Sequence, residues 1–251
     1  MSTCTVVVPC YNESARLDSE AFAAFAQRAG VRLLFVDDGS TDGTLEMLTR
    51  LAQRCPAHMR VHSLSRNSGK SEAVRLGLLE ACAERPTYVA FWDADLATPL
   101  DEVLEFMQLL DRRRDIEMVF GARVGLLGRS IRRHMARHYL GRVFATAASL
   151  VLGIPIYDTQ CGAKMFRVSD HIVDQLREPF VGGWIFDVEM IARDIKARRG
   201  TSLPRTESVI YEYPLPVWRD VAGSKIKLRD WFVVGVNLGR IYVKYFGLRR
   251  G

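Results

Sequence analysis

"TYVAFWDADLATP", residues 87–99, is an apolar run that ends in two aspartates, Asp93 and Asp95, before a proline at Pro99. The run is rich in aromatic and β-branched residues and reads as a buried strand over 87–95. Pro99 suits the first turn of a following helix, where its missing N–H costs nothing. A strand that delivers two carboxylates to its own carboxyl end, with a helix next, is half of a β–α unit.

Similar units repeat on either side. "CTVVVP" (4–9) predicts a first strand and the Ala-rich stretch 15–29 an amphipathic helix. "VRLLFVDD" (31–38) predicts a second strand, with Asp42 as N-cap of the helix in "GTLEMLTRLAQ". "RVHSL" (60–64) is a third, short strand, Lys70–Glu84 a helix, and "IEMVFGAR" (116–123) a fifth strand. Strands alternating with helices of this length imply an α/β fold, a mostly parallel sheet with helices on both faces. Ligands in such sheets bind beyond the carboxyl ends of the strands. Each polar cluster falls at such an end: "PCYNE", "DDGSTD", "RNSGK", "DAD" and "GAR". Turn chemistry explains any one of them. Five at one edge predict a site.

The chain has 251 residues, 48% hydrophobic and 25% charged, with a formal net charge of +6. That is ordinary globular composition with a basic balance, which favours an anionic partner. Five cysteines without a CxxC pair predict a reducing compartment and no structural zinc. There is no GxGxxG and no GxxxxGK[ST], so the dinucleotide and P-loop classes lose weight. No apolar run reaches the roughly 18–20 residues of a membrane span. In a D-x-D at a strand end, both side chains can reach one hard cation. Mg²⁺ is usually held by one or two carboxylates plus substrate phosphates. That geometry suits a nucleotide diphosphate, whereas D-x-D alone also serves as a helix-capping turn.

A second signal follows Arg123. From Met118 to Tyr157 there is no acid, but six arginines: Arg123, Arg129, Arg132, Arg133, Arg137 and Arg142. Arg129, Arg133 and Arg137 recur every four residues and predict a basic helical stripe. "VFATAASLVLGIPI" (143–156) supplies apolar surface, for a core helix or for an interfacial one. The tail 224–251 sets seven cations against Asp230 alone, interleaved with aromatics. Such mixtures suit peripheral docking on an anionic membrane through about 126–152 and 226–250. Nucleic acid would also attract arginines and aromatics, but explains neither the D-x-D nor the five clusters, and no nucleic acid is expected.

"VVVPCYNE", "LLFVDDGSTDGT", "RNSGKSEAVRLG" and "FWDADLATP" resemble, in order and spacing, the inverting family 2 glycosyltransferases with a GT-A fold. "DTQCGAKMFR" (158–167), "WIFDVEMI" (184–191) and "VWRDVAGSKIK" (217–227) are similar to the dolichyl-phosphate β-glucosyltransferase and polyprenyl-phosphate branch. The resemblance spans roughly 4–230. It implies a single GT-A (Rossmann-like) domain with amphipathic membrane-facing helices, 1–125 binding the nucleotide sugar and 126–251 the acceptor. One departure is "GKS" for the family's "GKG", with Ser71 where backbone approaches the ligand.

By resemblance, Pro9, Tyr11 and Glu13 form the first nucleotide loop, and Asp37 or Asp38 accepts a hydrogen bond from the base. Gly69 and Lys70 lie beside the donor. Asp93, Ala94 and Asp95 form the metal and diphosphate site, for Mg²⁺ or Mn²⁺. Arg219 and Lys225 are the basic pair at the donor diphosphate. Arg123, Arg129 and Arg133, with Gln160 and Lys164, are candidates for the acceptor phosphate. Asp95, Arg123 and Asp187 are the candidate catalytic residues, Asp187 either positioning substrate or starting a helix. The implied reaction moves a sugar, by resemblance glucose from UDP-glucose, onto a polyprenyl phosphate. The expected setting is the cytoplasmic face of a membrane. A soluble acceptor is the alternative; a non-catalytic nucleotide-binding or nucleic-acid-binding module is a remoter one.

Overall fold

The computed structural model describes residues 2–28, 30–125, 127–128, 130–132, 135–219 and 228–247. The first half alternates β1 (Cys4–Cys10), α1 (Ser19–Ala26), β2 (Val31–Asp37), α2 (Thr44–Arg54), β3 (Met59–Ser63), α3 (Lys70–Ala83), β4 (Tyr88–Trp92), α4 (Glu102–Arg112) and β5 (Met118–Ala122). The second half is less regular. It runs β6 (Ser130–Arg132), α5 (Met135–Leu152), β7 (Ala163–Arg167), α6 (Asp170–Leu176), a 3₁₀ turn at Gly183–Ile185, α7 (Phe186–Arg198), α8 (Thr206–Val209), β8 (Ile210–Pro214), β9 (Val217–Arg219) and α9 (Leu228–Tyr245).

Seven strands form one sheet in the order β3-β2-β1-β4-β7-β5-β8. β3, β2, β1 and β4 are mutually parallel, as are β5 and β8, while β7 runs antiparallel between β4 and β5. The chain moves from β1 outward to β3, then returns past β1 to lay down β4. The crevice beyond the carboxyl ends of β1 and β4 is therefore the switch point at which α/β sheets hold ligands. A small parallel ribbon, β6 with β9, lies apart from this sheet.

Both faces of the sheet are covered, so its strands read as nearly unbroken apolar runs such as Leu33–Val36. Alternation still sorts them by face. Val6 and Val8 pack with Phe22 of α1, Leu48 of α2 and Phe106 of α4. Val7 faces the other way, with Val74 of α3, Phe144 of α5, Ile191 of α7 and Leu238 of α9.

Three local expectations are corrected. The first helix is shorter than 15–29, starting where the Asp18 carboxylate accepts the Ala21 N–H at 3.0 Å. Asp42 stands one place before the α2 N-cap, Gly43. Its carboxylate instead closes a local turn on the Thr44 N–H at 2.9 Å and takes the Ser14 hydroxyl at 2.7 Å, tying together the loops that follow β1 and β2. The helix expected for the arginine stripe does not run through Ser130–Arg132, which is extended and paired with β9, and of the stripe's described members Arg137 falls on α5. Arg129, Arg133 and Lys225 lie outside the described residues.

The 143–156 stretch is core on one face and exposed on the other. Phe144, Ala148 and Leu152 are buried in the core, whereas Tyr139, Val143 and Leu150 of the same helix are exposed. α9 repeats this: Val234, Leu238 and Ile241 face inward, Val233, Val236 and Val243 outward. Among the described residues, no helix is long and apolar enough to cross a membrane.

Candidate active site

The second strand ends in two carboxylates with different tasks. Asp38 accepts the Ser68 N–H at 2.7 Å and the Gly69 N–H at 2.9 Å, so it is spent on holding the loop that starts α3. Burial raises its pKa, partly offset by those two bonds. Asp37 is 1% exposed. Its Oδ2 takes a long bond of 3.3 Å from Ser63, and its Oδ1 has no hydrogen-bond partner among the described residues. A buried, unsatisfied carboxylate oxygen is costly and marks a position built to receive a donor. The first loop lies alongside. Tyr11 is exposed, and Glu13 is buried with its carboxylate bound by Arg16.

β4 stops at Trp92, and the next residues turn sharply. The Asp93 N–H donates to Gly162 O at 2.9 Å, Asp95 accepts the Ala97 N–H at 3.1 Å, and Leu96 takes a left-handed φ of 52°. Positive φ at a bulky residue is strained, and such strain clusters at functional sites. Ala94 between the aspartates is buried. The Asp93 carboxylate lies directly over Gly162, where an added Cβ would come within 1.9 Å of Oδ2. Gly162→Ala is therefore expected to push Asp93 out of place and cut turnover by about 100-fold, with a loss of roughly 1–3 kcal/mol in folding stability from overpacking. Turnover within threefold of wild type would show that the contact can relax at little cost.

Lys70, the first residue of α3, donates to Asp93 Oδ1 at 2.5 Å. Burial works to lower the Lys70 pKa, but the charges of Asp93, Asp187 and Asp95 raise it overall. Asp95 is pushed up by burial and then by Asp93. Two carboxylates that repel each other at a ligand crevice fit a divalent cation. Among the described residues there is no cluster of three or more His, Cys, Asp or Glu side chains able to hold a metal. A pair of carboxylates matches a cation that draws its other ligands from a bound diphosphate.

Opposite these acids lies a turn fixed from three sides. Arg123, after β5, donates from Nε to Asp158 Oδ2 at 2.6 Å and from Nη2 to Oδ1 at 2.8 Å, and its guanidinium lies 5.2 Å from the Trp218 ring centre. Its pKa is raised further, the charge of Asp158 outweighing burial. Glu212 of β8 accepts the N–H groups of Tyr157 at 2.9 Å and Asp158 at 2.8 Å. Burial raises the Glu212 pKa. Gln160 reaches Asp187 at 3.5 Å. Lys164 lies at 0% exposure between the Phe91 and Phe120 rings, donating to Asp187 Oδ1 and to Cys161 O, each at 2.6 Å. It thus sits beneath Asp187, with its charge neutralised there. Burial raises the Asp187 pKa, and Lys164 and Lys70 oppose that.

The structure brings Asp37, Asp93, Asp95 and Lys70 to one edge, with Arg123, Gln160, Lys164 and Asp187 behind. Arg219 joins them through its backbone: its N–H donates to Ala97 O at 3.1 Å, and its side chain is exposed. Sequence reasoning did not single out Asp158, Glu212, Gly162 or Arg16. Asp158 and Gly162 stand inside a quoted block; nothing in the pattern pointed to Glu212.

Residues 5–173 match the model of the family described as "Glycosyl transferase family 2". The chain is 31% identical to a dolichyl-phosphate beta-glucosyltransferase of Drosophila melanogaster, over 96% of this chain and 74% of that one. It is 31% identical to its counterpart in Saccharomyces cerevisiae, over 89% and 69%. In fold it is similar to glucosyl-3-phosphoglycerate synthase from Mycobacterium tuberculosis, solved with Mn²⁺, uridine-diphosphate and glucosyl-3-phosphoglycerate. There the TM-score is 0.65 at 19% identity, over 100% of this chain and 82% of that one. The acidic switch-point crevice, the GT-A architecture and the family match over two thirds of the sequence agree: the chain belongs to glycosyl transferase family 2.

Proposed function

We propose that this chain transfers glucose from UDP-glucose to a polyprenyl phosphate, with inversion, to give a β-linked lipid-phosphate sugar. The observation that carries this reading is the likeness, over nearly the whole chain, to enzymes named for dolichyl phosphate.

The site's own chemistry supports it. Asp37 Oδ1 is the acceptor for a donor on the base. Asp93 and Asp95 would hold a divalent cation, which would supply charge neutralisation for the leaving diphosphate. Lys70, released from Asp93, and Arg219 add charge-assisted bonds to the phosphates. The acceptor is a phosphate monoester with a second pKa near ~6, largely dianionic at neutral pH. It attacks the anomeric carbon directly, and the diphosphate leaves from the opposite side. No strong general base is required. Gln160 and Arg123 orient the incoming phosphate, Arg129 and Arg133 join them, and Asp187 keeps Lys164 and Gln160 in register. Residues 1–125 hold the donor and 126–251 the acceptor, and the outward apolar faces of α5 and α9 rest on the bilayer with the flanking cations toward anionic headgroups.

The test is a panel of nucleotide sugars with Mg²⁺ or Mn²⁺ and undecaprenyl or dolichyl phosphate in phosphatidylglycerol vesicles, with the lipid product identified. UDP-glucose is expected to give the lipid-phosphate glucose, and vesicle binding to weaken with salt. Sugar transfer to soluble acceptors alone, or no vesicle binding at low salt, would overturn the reading.

A further inference from the structure

Between α6 and α7 the chain reads "REPFVGGWIF" (177–186). Phe180 is drawn inward, its ring 5.6 Å from that of Phe186 and 4.3 Å from the Arg193 guanidinium. Ile185 is fully buried. Val181 and Trp184 point the other way, and Trp184 is 53% exposed.

An outward tryptophan on a floppy loop would mean little. This turn is held rigidly. Glu189, fully buried, accepts the Gly182 N–H at 2.6 Å. Arg193 and the Tyr245 hydroxyl both donate to that carboxylate, at 2.8 and 2.7 Å. Asn237 of α9 donates to Gly182 O at 3.1 Å. Gly183 then takes φ +53°, a left-handed conformation that glycine adopts freely. Three buried polar side chains, Glu189, Arg193 and Asn237, with the part-buried Tyr245, thus fix from two helices a turn whose outward product is Val181 and Trp184. Burying such groups is justified only when each is satisfied, as here, and nothing in the core gains from the exposed indole.

The position of that indole is the second observation. Trp184 lies three residues before Asp187, across the junction of the 3₁₀ turn with α7 at Ile185. Asp187 reaches Gln160 and Lys164 in the site. On its far side the turn is bonded to α9, and Val233, exposed, stands one helical turn before Asn237. The Trp184 turn is thus tied by three residues of chain to Asp187 on one side and by the Asn237 bond to α9 on the other.

We infer that the Val181–Trp184 turn is the landing for the first isoprene units of the acceptor, the element that reads a lipid tail behind the phosphate. An aromatic face offers broad apolar contact at low entropy cost, and an indole held rigid needs no ordering when the tail arrives. This inference rests on the polyprenyl-phosphate reading above.

The test compares wild type, Trp184→Ala and Trp184→Phe with UDP-glucose as donor. The acceptors are undecaprenyl phosphate in detergent micelles and butyl phosphate, which has the head without the isoprenoid. The alanine variant is expected to raise KM for undecaprenyl phosphate about tenfold. Its kcat, its KM for UDP-glucose and any transfer to butyl phosphate stay within twofold, and phenylalanine restores most of the loss. An unchanged lipid KM, or an equal rise in the KM for UDP-glucose, would overturn the inference while leaving the polyprenyl reading intact. If wild type itself glucosylates no polyprenyl phosphate, that reading has failed, and this inference falls with it.

Discussion

Asp93→Asn and Asp95→Asn are each expected to lower kcat by at least about 1,000-fold while leaving the melting temperature unchanged or slightly higher. In the proposed site each replacement would remove one of the two carboxylates offered to a cation that draws its other ligands from the substrate's phosphates. Removing charge stabilisation from a developing oxyanion costs roughly 3–4 kcal/mol per interaction, and loss of the cation removes more. Stability moves the other way because the pair is mutually repulsive. Asp95 has a raised pKa, from burial and then from Asp93, so its charged form is disfavoured in the fold. Neutral Asn relieves that penalty. Lys70 loses an ion pair in Asp93→Asn, but its side chain is 40% exposed and screened by water. The same raised pKa fixes a pH dependence. Mn²⁺ affinity is expected to be full above the Asp95 pKa and to fall as pH drops through it, at a higher pH than for a free aspartate. Full turnover in excess EDTA, or in both variants, would remove the metal role. A melting point several degrees lower in both would make the aspartates structural.

The second large effect concerns folding. Asp187→Leu is expected to cost about 3–5 kcal/mol in urea denaturation, because it strands the Lys164 ammonium in an apolar pocket. Lys164→Met alone is expected to cost somewhat less, by taking from Asp187 its hydrogen-bonded partner while the charge of Lys70 remains. Combining the two recovers much of the loss, since an apolar pair of similar volume replaces both charges. The double variant remains inactive if Asp187 and Lys164 also hold Gln160 in register. Single substitutions costing under 1 kcal/mol would mean that water reaches the pair.

The parallel half was legible because its signal is local. Val6, Val8, Leu33 and Phe35 carry their burial in their own residue types, and Asp93 and Asp95 announce themselves at a strand end. Local pattern is silent where partners come from far away. Nothing near Lys164 in sequence says that its charge is neutralised by Asp187, 23 residues on. Glu212 gives no sign that it caps the backbone at Tyr157 and Asp158. The arginine spacing read as helical because a period of four fits α5, yet Ser130–Arg132 pairs with β9 instead, and tertiary pairing outweighs local period.

The antiparallel β7 wedged between β4 and β5 has a consequence for assembly. β4 and β5 are near in sequence but do not touch as neighbours in the sheet. Their junction waits for a strand whose pairing, Trp92 with Ala163, spans about 70 residues. On the ribosome, the amino-terminal half emerges with β4 as a raw, fully apolar edge, a template for stray pairing until β7 arrives. Closing so long a loop is slow. Synthesis of this chain therefore passes through an interval in which the half that carries Asp37, Asp93 and Asp95 is complete in sequence yet unfinished as a sheet.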